Sequence, residues 1–374
     1  MTQNQPKVSP GLWALAWRRL RGDRLAMGAM AIVILWLVVI ALSFTGIVAK
    51  DWDAEVGVNY APPTFVGPQS AADKIMGGTE DNAPPPENPL DPLKDIIREL
   101  RASSAAAGTA AADSQPVEDY GIKDPLEKEM AEIRAELSKA GAKAAVAKQE
   151  TLPFGADKWG HDVIKKTIKG AETSIIVGIV AALLATALGT LFGALAGYYG
   201  KWVDDTFNWF YSVFTSVPYL LLILAVAAVL QQKGVMTIIL ILGLTGWTGT
   251  FRLIRAEYMK HKAREYVWAA DAIGATNMRK MFTHIFPNVS HVALVQISIL
   301  VVSFIKSEVI LSFLGFGVPV GTVSWGSMLN EAQNELILGK WWQLTAASVA
   351  MAVLVTAFSM FTDALRDALD PKLK

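Results

Sequence analysis

Cysteine is absent from this 374-residue sequence, which excludes disulfides, thiolate metal sites and thiol catalysis together. Histidine is nearly as scarce. His161, His261, His284 and His291 form no H-E-x-x-H pattern, so a metal-dependent enzyme is not indicated. Charged residues make up only 18% and sum to a formal net charge of zero, which gives no argument for nucleic-acid binding. Gly-Lys occurs at Gly200-Lys201 and Gly339-Lys340, each followed by Trp with no Walker A pattern around it. The chain therefore carries no P-loop, and if ATP drives it another subunit supplies the nucleotide site. No G-x-S-x-G elbow for a serine hydrolase is present either.

What is there is apolar surface. At 52% hydrophobic residues the chain is too apolar for an ordinary soluble domain of its size and reads as an all-α polytopic membrane protein. Ser9 is placed to cap a short interfacial helix with Pro10 at its first position, and Leu12, Trp13, Trp17 and Leu20 share a face opposite Arg18, Arg19 and Arg21. Residues 1–24 thus form an N-terminal segment, and 25–48 a first span long enough to cross a bilayer core. Five more apolar runs follow at roughly 172–198, 207–230, 235–254, 292–315 and 341–361, within a core of residues 152–374. Six spans put both termini on one side. Lys260, Lys262, Arg264, Arg279 and Lys280 crowd the loop 256–290, whereas 317–340 has Lys340 alone. The basic loop and both termini are therefore expected in the cytoplasm.

Residues 51–150 change character, being rich in Pro, Ala, Ser and charge without a span-length apolar run. They read as an extracytoplasmic, partly helical insertion. Asp91-Pro92-Leu93 and Asp124-Pro125-Leu126 each look like a capped helix start, with Glu127 completing a capping box on the second. Leu126, Met130, Ile133 and Leu137 line one face, which Leu93, Ile96, Ile97 and Leu100 of the first helix are candidates to cover.

The basic loop has a pattern of its own. Tyr266, Ala269, Ala270 and Ile273 fall at helical spacing, and Gly274 follows where a C-cap favours positive φ. That predicts a helix of about three turns. Asn277 is placed to cap a second helix carrying Met278, Met281, Phe282 and Ile285 on one face until Pro287 stops it. The small residues Ala269, Ala270 and Gly274 would let another protein approach closely. Elsewhere, Gly189, Gly193 and Gly197 recur every four residues, read as tight helix packing. Pro218 is expected to kink the third span. Lys306 and Glu308 stand mid-span at a spacing that diverges around a helix, as members of a pathway or of a structural ion pair with a neighbouring helix or subunit.

The loop resembles the E-A-A loop of ABC importer permeases: Ala269, Ala270, Gly274 and Pro287 match, while Trp268 stands for the Glu and His284 and Phe286 for the Ile and Leu. Phe154-Gly155-Ala156-Asp157-Lys158-Trp159-Gly160-His161-Asp162-Val163 resembles the L-G-T-D-x-x-G-R-D-V of the dipeptide/oligopeptide/nickel branch, specifically the second of its two paired permeases. Glu308-x-x-Leu311-Ser312-Phe313-Leu314-Gly315, Ser324-Trp325-Gly326-x-Met328-Leu329 and Leu365-Arg366-Asp367-Ala368-Leu369-Asp370-Pro371 are similar to that branch as well. The resemblance spans about residues 9–50 and 152–374 but not the insertion. It implies the type I ABC importer permease fold in a bacterial inner membrane, with a homologous permease, two cytoplasmic ABC ATPases and an extracytoplasmic substrate-binding protein as partners. ATP and magnesium belong to the ATPases, and no cofactor to this chain. Tyr266, Trp268, Ala269, Ala270, Ile273, Gly274 and Pro287 become the ATPase-coupling residues, and di- or oligopeptides the cargo. An ion-coupled secondary transporter with Glu308 as relay is the alternative, and a membrane-bound enzyme a distant one.

Overall fold

The computed structural model describes residues 12–68, 148–319 and 321–369. The chain divides into two compact units, one made of Met1–Gly67 with Gln149–Lys374 and the other of Pro68–Lys148. The cap read at Ser9 and the helix starts read at Asp91 and Asp124 lie outside the described residues.

The first unit is helical. Helix α1 covers Leu12–Gly22 and α2 Arg24–Phe44. Asp23 separates them because its carboxylate accepts from the N–H groups of Leu25 and Ala26, at 2.9 and 3.2 Å, and so starts α2. Two short stretches then close on each other as a neck: Gly57 bridges Gln149, Pro63 bridges Leu152, and Ala156 N–H donates to Ala61 O at 2.8 Å. Residues 51–67 and 149–150 therefore belong with the helices, and the separate unit is shorter than the 51–150 read from composition.

Helix α3, Val163–Tyr199, starts at Asp162, whose side chain accepts from Ile164 and Lys165 N–H. Its 37 residues reach ~55 Å at 1.5 Å per residue, well beyond a hydrocarbon core of about 30 Å. That accounts for the hydrophilic turns ahead of the apolar run at 172. Helices α4, Lys201–Thr215, and α5, Tyr219–Leu230, are bent by 86°. The expected kink at Pro218 is thus a full break. Pro218 takes ψ 131 at the start of α5, and a residue ahead of proline, here Val217, is disfavoured from the helical region.

Helices α6, Val235–Thr245, and α7, Thr248–Lys262, form one span; α8 is Glu265–Ala272, α9 Asn277–Phe313, α10 Trp325–Ile337 and α11 Trp342–Leu369. Among the described residues five helices are long and apolar enough to cross a membrane, or six if the bent pair α4 and α5 counts as one broken span.

Helix α3 is the central pillar. A Cβ built at Gly189 would lie 2.6 Å from Trp247 O, at Gly193 2.8 Å from Phe251 O, and at Gly197 2.6 Å from Arg255 O. The three glycines let α7 press its backbone against α3. Beside this seam Phe192, Phe207, Phe214, Trp247 and Phe251 pack ring on ring. Asp204 receives both Arg255 Nε (2.5 Å) and Nη2 (2.6 Å), which fastens α4 to α7.

Candidate functional site

At the end of the bundle opposite the neck, α8 and the start of α9 make an elbow. Helix α8 has eight residues, about two turns rather than three. Gly274, at φ 81, closes it: Ala275 N–H reaches Ala270 O at 3.0 Å and Gly274 N–H reaches Asp271 O at 2.9 Å. The next cap is Thr276, not Asn277, since the Thr276 hydroxyl accepts from Arg279 N–H. Asn277 Oδ1 accepts instead from the Tyr198 hydroxyl at 3.0 Å. Pro287 does not stop the helix. It has no N–H to give Thr283 and crowds that carbonyl, and Lys280–Ile285 widen into a π-helix that absorbs the misfit, so α9 runs on to Phe313.

The elbow is pinned from both sides. Lys280 pairs with Asp271, and Lys262 Nζ donates to Tyr198 O at 2.6 Å. The Tyr266 hydroxyl and His261 Nδ1 lie 2.9 Å apart. Trp268, Ala269, Ile273 and Gly274 face outward with Met278, and Ile273 is 83% exposed. Ala270 does not join that face. At 4% exposure it belongs to the chain's interior, because the helical period turns it inward with Val267.

The mid-span pair separates. Lys306 is exposed, with no hydrogen bond or ion pair among the described residues. Glu308 is fully buried and forms no ion pair among the described residues: Ser174 Oγ from α3 donates to Oε2 at 2.6 Å and Ser312 Oγ to Oε1 at 2.7 Å. Trp325 N–H donates to the same Ser174 Oγ at 3.3 Å. Gly326 must be glycine there, since a Cβ would stand 2.5 Å from Ser312 Cβ and 2.6 Å from Val309 O. The motif stretches that begin at Glu308 and Ser324 thus meet Ser174 of α3, 134 positions before Glu308, around one carboxylate.

A second polar node lies at the neck, and sequence reasoning missed it. Lys166 Nζ, buried on α3, donates to Asp157 Oδ2 and Glu331 Oε2, each at 2.6 Å, and to Gln343 Oε1 at 3.2 Å. Asp157 also accepts from Trp159 and His161 N–H, at 2.8 and 3.0 Å. Burial works to raise the Asp157 carboxyl, but the adjoining Lys166 ammonium and these bonds outweigh it and hold the group below its ordinary range. The signal was present in the Gly-x-Asp-x-x-Gly stretch: Gly160, at φ 86, approaches Gly57 O so closely that a Cβ would fall 2.2 Å from it. Among the described residues no group of three or more His, Cys, Asp or Glu is placed to hold a metal.

Long apolar helices packed round a glycine seam, with polar groups sealed between them, define a helical integral-membrane protein. Residues 189–374 match the binding-protein-dependent transport system inner membrane component, and residues 11–63 match the N-terminal transmembrane domain of oligopeptide transport permease C. The dipeptide transport system permease protein DppC of Bacillus subtilis is 37% identical over 221 residues, 59% of this chain and 69% of that protein. The oligopeptide transport system permease protein OppC of the same organism is 35% identical over 221 residues, covering 59% and 72%. The peptidoglycan transport system permease protein YejE of Agrobacterium fabrum is 33% identical over 219 residues, covering 59% and 57%. The chain belongs to the family of binding-protein-dependent transport system inner membrane components, and it is a permease subunit of an ABC importer.

Proposed function

We propose that this permease imports peptides, pairing with a homologous permease, receiving cargo from an extracytoplasmic binding protein and docking two cytoplasmic ATPases that hold ATP and magnesium. Relatives named for dipeptide and oligopeptide transport support the cargo class. The basic residues around the elbow support a bacterial inner membrane orientation with that end and both termini in the cytoplasm and the neck and insertion outside.

The observation that carries the reading is the elbow itself. An apolar residue as exposed as Ile273, beside Trp268 and Met278, calls for a protein partner. The Lys280–Asp271 pair ties α8 to α9, and the Tyr198–Asn277 bond ties the start of α9 to α3, so a push on α8 moves whole spans as a packed unit. Ile273→Asp should leave permease abundance unchanged while ATPase co-purification and peptide uptake fall at least about tenfold, as for loss of an interface anchor. Normal uptake with normal co-purification would refute the docking role. Ala270→Asp, by contrast, should lower the amount of folded protein, because its site is interior.

Lys306 is read as lining the pathway, since an ammonium facing lipid at mid-span would cost at least about 2.5 kcal/mol. Glu308, closed in by Ser174 and Ser312, is read as a structural tie between α3 and α9 rather than a proton relay.

A further inference from the structure

Glu335 lies near the end of α10 and is 1% exposed, yet neither of its carboxylate oxygens has a hydrogen-bond partner among the described residues. Titratable groups face it from every side. Glu331 stands one turn earlier on α10, Asp157 and Tyr60 come from the neck, and Lys166 from α3. The Lys158 backbone N–H approaches without completing a hydrogen bond. The one ammonium here is already shared: Lys166 sits between Asp157 and Glu331, with Gln343 of α11 as its third acceptor. His161 Nδ1 stands 2.9 Å from Asp157 Oδ2, so its ring is engaged by Asp157 and not by Glu335. Three carboxylates against one Lys leave an ionised Glu335 buried without a counter-ion, whereas the neutral acid is tolerated.

The backbone of Glu335 matters too. Its carbonyl accepts from Leu338 and Lys340 N–H, at 3.0 and 2.9 Å, and so holds the turn leading into α11. We infer that Glu335 is a proton-binding site that fastens the end of α10 to the neck when neutral and loosens it when ionised. Burial, reinforced by Asp157 and Glu331 and opposed by Lys166, pushes this carboxyl up from 4.5 to about 7. The folded chain therefore keeps a proton that the unfolded chain sheds near its ordinary value. The stability attached to that proton is full below the ordinary carboxylate range and is lost as pH rises to the folded value.

The inference rests on the proposed orientation only in placing the proton outside the cell. Hydrogen exchange on the purified complex in lipid nanodiscs, where both faces meet one buffer, tests it independently of orientation. Protease access to the neck in right-side-out vesicles tests orientation separately. After correction for intrinsic rates, amides at 56–62 and 335–342 should exchange faster above a midpoint near pH 7 than below it. Glu335→Gln should hold slow exchange throughout. Glu331→Gln, which removes a like charge and frees Lys166, should move the midpoint to lower pH, and His161→Gln should keep the pH dependence. No pH dependence in the native complex, an unchanged dependence in Glu335→Gln, an unmoved midpoint in Glu331→Gln, or a dependence abolished by His161→Gln would each overturn the inference.

Discussion

Adding a single methyl group at Gly193 tests whether the seam between α3 and α7 is as close as described. The new Cβ would meet Phe251 O at 2.8 Å and Arg255 N at 3.0 Å, both backbone atoms that no rotamer change can move aside. The helices must separate by some tenths of an ångström, and the contacts at Gly189 and Gly197 loosen with them. Overpacking of this kind costs about 1–3 kcal/mol, against about 0.5–1 kcal/mol gained because alanine favours a helix over glycine. Gly28 on α2 is the control: nothing lies within 4 Å of a Cβ built there, so only the propensity gain remains. Gly193→Ala should therefore be less stable than Gly28→Ala by about 1–3 kcal/mol. The purified complex, heated and scored for the fraction still assembled, reads this as a lower midpoint for Gly193→Ala and an unchanged or slightly higher one for Gly28→Ala. Equal midpoints would show that the backbones do not touch and that the reasoning about the seam is wrong.

Glu308→Ala strands the Ser174 and Ser312 hydroxyls in the interior and should cost about 2–4 kcal/mol in the same assay. Glu308→Gln keeps an acceptor and should cost less, and an equal loss would deny the hydroxyl bonds their role. Lys306→Met should preserve assembly and lower the uptake rate severalfold, since the exposed side chain has no hydrogen bond or ion pair among the described residues. Unchanged uptake would remove Lys306 from the pathway. Replacing residues 69–147 by a short glycine linker should leave the helical unit assembled, because Val58 N–H to Gln149 O and Thr64 N–H to Leu152 O, each 2.9 Å, already close the neck. Loss of assembly would show that the insertion holds the helices together.

Local chemistry was legible in the chain. Apolar runs of span length, the glycine repeat at 189, 193 and 197, and the positive φ of Gly274 follow from short-range rules of transfer energy, periodicity and backbone sterics. The frame of the elbow also stood in the sequence, through residues whose spacing matches the permease loop. The inward turn of Ala270 did not, because a small residue at helical spacing is equally at home on either face until packing chooses one. Pro287 misled for a related reason: proline forbids an ordinary helical hydrogen bond, but a π-helix placed just before it by the surrounding packing satisfies the constraint without ending α9. Charge was least legible. Nothing local says that Glu308 meets Ser174, or that Lys166 joins Asp157 to Glu331 across 9 and 165 positions. A buried charge is stabilised only by partners that converge on it in space. Which partners those are is decided when α3, α9, α10 and the neck come together.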